Sequence, residues 1–214
     1  MDAWRQSVYL ALPWLLLGTT LVCFTILKRT YGARKAYLAG FIFYWTFWCL
    51  VAPFALLDPQ IIRNLFRPVT QPFGQPWPFG VLCLLGPPLV SLAVILPRQL
   101  PGASRRLILI SALLAVVNGS LEELLWRGVY ISIFPENTWL AIVYPALGFA
   151  VWHFAPQTIY SYTGPGGRII LVIGAVMLGL LWGWAAASTG VILYTALAHI
   201  VVDFSALGWR EVFN

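Results

Sequence analysis

Seven apolar runs follow one another along this chain, each of them long enough, or nearly so, to cross a bilayer. A crossing takes about 20 apolar residues, and it is built as a helix because lipid offers no partner to an unpaired backbone group. The runs lie at Val8–Leu27, Ala36–Leu57, Phe79–Leu96, Leu107–Phe134, Thr138–Phe154, Arg168–Ala187 and Val191–Trp209. Charged residues are 9% of the chain and hydrophobic ones 60%, whereas a soluble domain carries about a quarter charged. The pattern predicts an all-α fold, a polytopic membrane bundle of about seven transmembrane helices. We read it as one integral membrane domain. Residues 1–106 hold the first three spans and a Pro-rich loop, and residues 107–214 hold the last four.

The segments between the spans set expectations of their own. Lys28, Arg29, Arg34 and Lys35 make a basic loop, and Arg98, Arg105 and Arg106 make another. Between Asp58 and Pro78, prolines 59, 68, 72, 76 and 78 are expected to break any helix. Gly86-Pro-Pro88 predicts a kink inside the third span. The few small residues between spans 6 and 7 predict a tight antiparallel hairpin. Lys and Arg number nine on one side (the loops after spans 1, 3 and 5 and the C-terminus) and four on the other (Arg5, Arg63, Arg67 and Arg127). That bias orients the N-terminus outside and the C-terminus in the cytoplasm. The N-terminal run exceeds a signal-peptide core and lacks a small-residue cleavage site, so it reads as a span that stays. A short chain without an appended domain fits a prokaryotic cytoplasmic membrane. The formal charge of +6 comes with no basic run of the length nucleic-acid binding uses, so nucleic acid is not expected as a partner. Eleven Trp and nine Tyr suit interfacial belts. Cys23, Cys49 and Cys83 lie in apolar runs without Cys-x-x-Cys spacing, which reads as packing rather than disulfide or zinc chemistry.

Ionisable groups at membrane depth are costly, and each is a functional-site hypothesis by default. The fourth span carries Glu122, Glu123 and Arg127; the fifth carries His153; the seventh carries His199 and Asp203. On one helix Glu123 and Arg127 are four apart and form a pair, which leaves Glu122 the freer acid. His199 and Asp203 share a face in the same way. Each group alone has a bland account, as an interface anchor or a helix–helix lock. Together they do not: both histidines of the chain and three of its seven acids fall on three spans.

Glu122-Glu-Leu-Leu-Trp-Arg127, Phe149-Ala-Val-Trp-His153 and His199-Ile-Val-Val-Asp203 resemble, in order and approximate spacing, the three motifs of the CAAX protease and bacteriocin-processing (CPBP, or Abi) family. The resemblance covers about the last hundred residues. It implies a glutamate-dependent intramembrane endopeptidase that cuts near the C-terminus of a lipidated or membrane-anchored protein, whether a CAAX-type substrate or a C-terminal sorting tail. In that scheme Glu122 activates a water and His153 helps to hold it. His199 and Asp203 line the oxyanion side, Glu123 and Arg127 orient the site, and Phe149 supports its motif. Many members carry Asn where this chain has Asp203; Asp is an accepted variant with a different local charge.

Hydrolysis of a peptide needs a base for the water's proton and donors aimed at the developing oxyanion, and the residue set supplies both. His153 falls nearer the end of its span than Glu122 and His199 do, so span 5 must start deep, or be displaced, for the three to meet. A lateral apolar groove beside spans 4, 5 and 7 is expected to admit the substrate's tail. No cofactor is expected. Zinc is the alternative that Glu, His and Asp side chains leave open, ranked behind metal-free chemistry because His-Glu-x-x-His is absent. Gly-x-Ser-x-Gly is absent too, and Asp58 and Asp203 lack the signatures of paired aspartates. The rival outside enzymology is a non-proteolytic Abi-type protein, serving immunity or scaffolding, or an ion or proton path. The sequence leaves the oligomeric state open.

Overall fold

The computed structural model describes residues 3–164 and 166–213, with side chains from residue 7 onward. The side chain of Arg5, counted above on the outer side, and Pro165, in the loop after span 5, lie outside the described residues. Among those residues there are nine helices and no strand. They are α1 (Ala3–Tyr31), α2 (Ala33–Leu56), α3 (Pro59–Leu65), α4 (Trp77–Gln99), α5 (Arg105–Ile133), α6 (Trp139–Thr158), α7 (Gly167–Thr189), α8 (Leu193–Ala206) and α9 (Arg210–Phe213). Six of them, all but α3, α8 and α9, are long and apolar enough to cross a membrane. Their outward faces carry side chains that water would not tolerate together, among them Trp14, Leu89, Leu109, Leu113 and Ile169. The chain is an all-α integral membrane bundle.

The seventh expected span is α8, and its 14 residues rise only about 21 Å at 1.5 Å each. That is short of the ~30 Å hydrocarbon layer. Nor does α8 run mainly along α7 as the hairpin reading expected. Gly190, at φ 71°, turns the chain sharply after α7, and α8 then packs chiefly against α5. The Pro-rich segment also holds a short helix, where the prolines were expected to break any helix. Pro59 opens α3, where no N–H is needed, and the Asp58 carboxylate accepts from Gln60 N at 2.6 Å. In α4 the helix continues through Pro87 and Pro88, and the wide turn Ser91–Ile95 follows. Gly80, Cys83, Leu84, Pro88 and Ser91 form its buried stripe, at the spacing one helical face requires.

Helix α5 positions the ionisable cluster. Ser104 caps it, its hydroxyl accepting from Leu107 N at 3.1 Å. Leu107, Ser111, Ala115, Gly119 and Glu122 are buried along one face. From Leu124 the helix widens into a π turn that ends at Gly128, and every residue from Glu122 to Ile131 is buried. The glutamate pair thus sits where a one-sided helix enters the protein interior. Such wide turns are rare and recur at functional sites.

Two close helix approaches shape that interior. A Cβ on Gly119 would lie 2.9 Å from Ile200 N, so α5 and α8 touch backbone to backbone there. A Cβ on Gly179 of α7 would lie 2.9 Å from Ala146 Cα of α6. Trp126, Trp152 and Trp182 are fully buried, so these three do not belong to interfacial belts. The Tyr44 ring stacks on Trp152 at 3.9 Å, joining α2 to α6. Cys49 and Cys83 are buried and Cys23 is partly so, and all three are free thiols.

Candidate active site

The approach at Gly119 fixes what lies one turn further along α5 and next to Ile200 on α8. Glu122 and Glu123 of α5 come to face His199 of α8. Glu123 is the tied acid: its Oε1 is 2.8 Å from Arg127 Nη1 and accepts from His199 Nδ1 at 2.9 Å. Both partners of the Glu123–Arg127 pair are buried, and the guanidinium has aromatic rings on two sides. Its Cζ is 4.7 Å from the Phe149 ring centre and 5.6 Å from that of Trp182. This is how an arginine is kept in an apolar interior, by one carboxylate and two π faces.

Like Glu123, whose Oε2 is buried without a hydrogen-bond partner among the described residues, Glu122 is held on one oxygen only. Its Oε2 accepts from Asn118 Nδ2 at 3.1 Å and stands 3.4 Å from His199 Nε2. Its Oε1 is buried and meets no partner at hydrogen-bond geometry among the described residues. The Tyr44 hydroxyl, a near neighbour of Glu122, accepts from Trp126 Nε1 at 2.9 Å and keeps its own proton to give. Asp203 completes the group. Its Oδ1 is 3.5 Å from His199 Nε2 and its Oδ2 accepts from Asn118 Nδ2 at 2.7 Å; its side chain is 27% exposed. The expected His199–Asp203 contact is therefore there, but the shorter contact of the ring is with Glu123.

His153 makes no hydrogen bond or ion pair to these acids among the described residues. It is the residue at which the regular helix of α6 ends. Its Nδ1 is 2.8 Å from Phe149 O, and because a carbonyl only accepts, Nδ1 carries the proton. In the neutral ring that leaves Nε2 with a free lone pair. Phe149 links the parts: its ring centre is 4.6 Å from that of His153 and 6.0 Å from that of His199.

Four residues of this site, Asn118, Tyr44, Trp182 and Trp45, carried no role in the sequence reading. Asn118 stands four before Glu122, so its place on the same face was legible, yet an uncharged amide gives no signal of its own. Trp182, 4.8 Å from the His199 ring, and Trp45, whose indole donates to Asn118 Oδ1 at 2.7 Å, are two of many tryptophans.

An apolar cavity of about 290 Å³ opens away from the cluster. Pro13, Trp14 and Leu17 of α1 and Tyr144, Leu147, Gly148 and Val151 of α6 line it. The groove was expected beside spans 4, 5 and 7; this cavity adjoins only the fifth of these, and close packing at Gly119 and Gly179 leaves α5, α6, α7 and α8 in contact. Among the described residues, no three His, Cys, Asp or Glu side chains are arranged to hold a metal ion.

Residues 104–205 match the family model of type II CAAX prenyl endopeptidase Rce1-like proteins. No curated protein and no solved structure matches the chain. The matched stretch supplies every charged side chain of the cluster, and Trp45 and Tyr44 reach it from the half of the chain before it. Over residues 104–205 the chain is thus similar to type II CAAX prenyl endopeptidase Rce1-like proteins.

Proposed function

We propose that this protein is a glutamate-dependent intramembrane endopeptidase, acting near the C-terminus of lipidated or membrane-anchored proteins with Glu122 as the base. The observation that carries the reading is the inequality of the two adjacent acids. Glu123 is paired with Arg127 and with His199, whereas among the described residues Glu122 has no arginine and its Oε1 is buried without a hydrogen-bond partner. Water bound there gives its proton to Glu122 as its oxygen adds to the scissile carbonyl carbon. His153 Nε2, a lone-pair acceptor, holds the water's other hydrogen. His199 and Asp203 border the oxyanion, and the proton on Glu122 passes to the leaving nitrogen as the C–N bond breaks. Base and oriented water together account for roughly 10²–10⁴-fold in rate. His153 and Asp203 are the partly exposed members of the cluster, and we assign the substrate's approach to that edge. The Lys and Arg of the loops after α1, α4 and α6 put those loops, on the side opposite the N-terminus, in the cytoplasm in this reading.

The test is cleavage in liposomes of a peptide with a C-terminal apolar anchor or a prenylated cysteine, read by mass spectrometry of the new C-termini. Glu122→Gln is expected to lose about 10²-fold or more in rate while eluting and unfolding like the parent. Full activity in Glu122→Gln would refute the reading. Ion flux that needs Glu122 without proteolysis would replace it with a transport function, and chelator inhibition reversed by zinc would replace it with a metalloenzyme.

A further inference from the structure

The amide of Asn118 touches both partly free acids. Its Nδ2 donates to Glu122 Oε2 at 3.1 Å and to Asp203 Oδ2 at 2.7 Å, and its Oδ1 accepts from Trp45 Nε1 at 2.7 Å. An indole N–H only donates and carboxylate oxygens accept, so the orientation of the amide is fixed by its partners. Both amide hydrogens are used. A neutral donor is thereby wedged between two carboxylates that would otherwise face each other across an apolar interior. The three contacts join three helices: Trp45 on α2, Asn118 on α5 and Asp203 on α8. Trp45 lies before the family-matched stretch, is 8% exposed, and rests on Phe41 and Trp209 at 5.3 and 5.6 Å.

We propose that Asn118 is a positioning residue for the hydrolytic site and that Trp45 is the clamp that sets its amide. The inference rests on Glu122 being the base. Asn118 occupies Oε2 of Glu122 and so leaves Oε1 as the oxygen that meets the water, while its other hydrogen holds Asp203 beside His199. Trp45 acts only through Asn118. Without the indole donor the amide can turn over and present its oxygen to the carboxylates, which repel it. The half of the chain before the matched stretch thus has a defined part in the site.

The experiment compares kcat and KM for the anchored peptide in proteoliposomes. The variants are Trp45→Phe, Asn118→Ala, the double variant, and Trp48→Phe as control. Trp48 is on the same helix, and its indole donates to Thr19 Oγ1 at 3.0 Å. A hydrogen bond to a charged group is worth enough to predict a 10- to 100-fold fall in kcat for Asn118→Ala, with KM within about twofold. Trp45→Phe, which keeps the ring packing, is expected to lower kcat about 5- to 10-fold. Trp48→Phe should cleave at the parent rate. In the Asn118→Ala background, Trp45→Phe should add nothing, and this non-additivity separates a relay from two independent structural roles. Parent-like kcat in Trp45→Phe, or simple multiplication of the two losses, would overturn the proposal. If the parent protein itself does not cleave, the failure lies with the assignment of function, not with the relay.

Discussion

Gly119→Ala tests whether the contact between α5 and α8 sets the spacing of the catalytic groups. The added methyl would sit 2.9 Å from both Ile200 N and Ile200 Cγ1, and 3.2 Å from Ile200 Cα. Carbon contacts settle at about 3.5–4.0 Å. The isoleucine side chain can turn away, but its backbone nitrogen cannot, so the helices must part by roughly 0.5–1 Å. His199 directly precedes Ile200. Its 2.9 Å bond to Glu123 would then stretch to about 3.5 Å, beyond useful hydrogen-bond range. Overpacking of this kind costs about 1–3 kcal/mol of stability, little enough for the bundle to persist, whereas a displacement of about 1 Å at reacting groups can cost on the order of 10²-fold in rate. The assay is initial cleavage rate in proteoliposomes beside thermal unfolding. Gly174→Ala is the control, because that position in α7 has nothing within 4 Å of the new methyl. Turnover of Gly119→Ala within twofold of the parent would refute the argument that this contact holds the site together.

Other expectations follow from the same geometry. Arg127→Met leaves Glu123 buried without its cation and should cost about 3–5 kcal/mol, a fall in Tm on the order of 10 °C; a scan showing no fall would contradict it. Combining Arg127→Met with Glu123→Leu should recover at least half of that stability, since replacing a buried pair is cheaper than breaking it, yet activity should stay lost because His199 then lacks its anchor. His153→Asn keeps a donor for Phe149 O and removes the outer nitrogen. It should unfold like the parent but cleave about 10²-fold more slowly or worse, and parent-like cleavage would show that this nitrogen is not used.

Hydropathy and helical spacing made part of this molecule legible. Run length gave six of the crossings because helix length in lipid is set by bilayer thickness alone. Spacing of four gave the Glu123–Arg127 pair and the shared face of His199 and Asp203, since residues four apart on a helix must be neighbours. What spacing does not carry is the partner across a helix–helix contact. His199 is 76 residues from Glu123, and their meeting depends on Gly119 letting Ile200 approach. A glycine in a transmembrane run has too many other uses to announce that contact. Asn118 and Trp45 stayed silent because their weight in the site comes from neighbours, not from charge. The length of α8 was misread because its apolar run continues past Leu207, where the backbone reaches φ 43° and the helix ends. Composition does not register that stop.

The site's chemistry and the bundle's stability share some residues and not others, and this division has consequences. Three carboxylates and one guanidinium sit within a few ångströms in an apolar enclosure, an arrangement that costs several kcal/mol per unpaired ion. Arg127 and Glu123 carry that cost with their mutual pairing, so changes there should lower stability and activity together. Glu122, unlike Glu123, has no arginine paired with it among the described residues; removing its charge relieves the enclosure instead of unbalancing it. Glu122→Gln should therefore hold or raise the unfolding temperature while it abolishes cleavage. An acid kept for structure would show the opposite, a fall in stability with turnover intact.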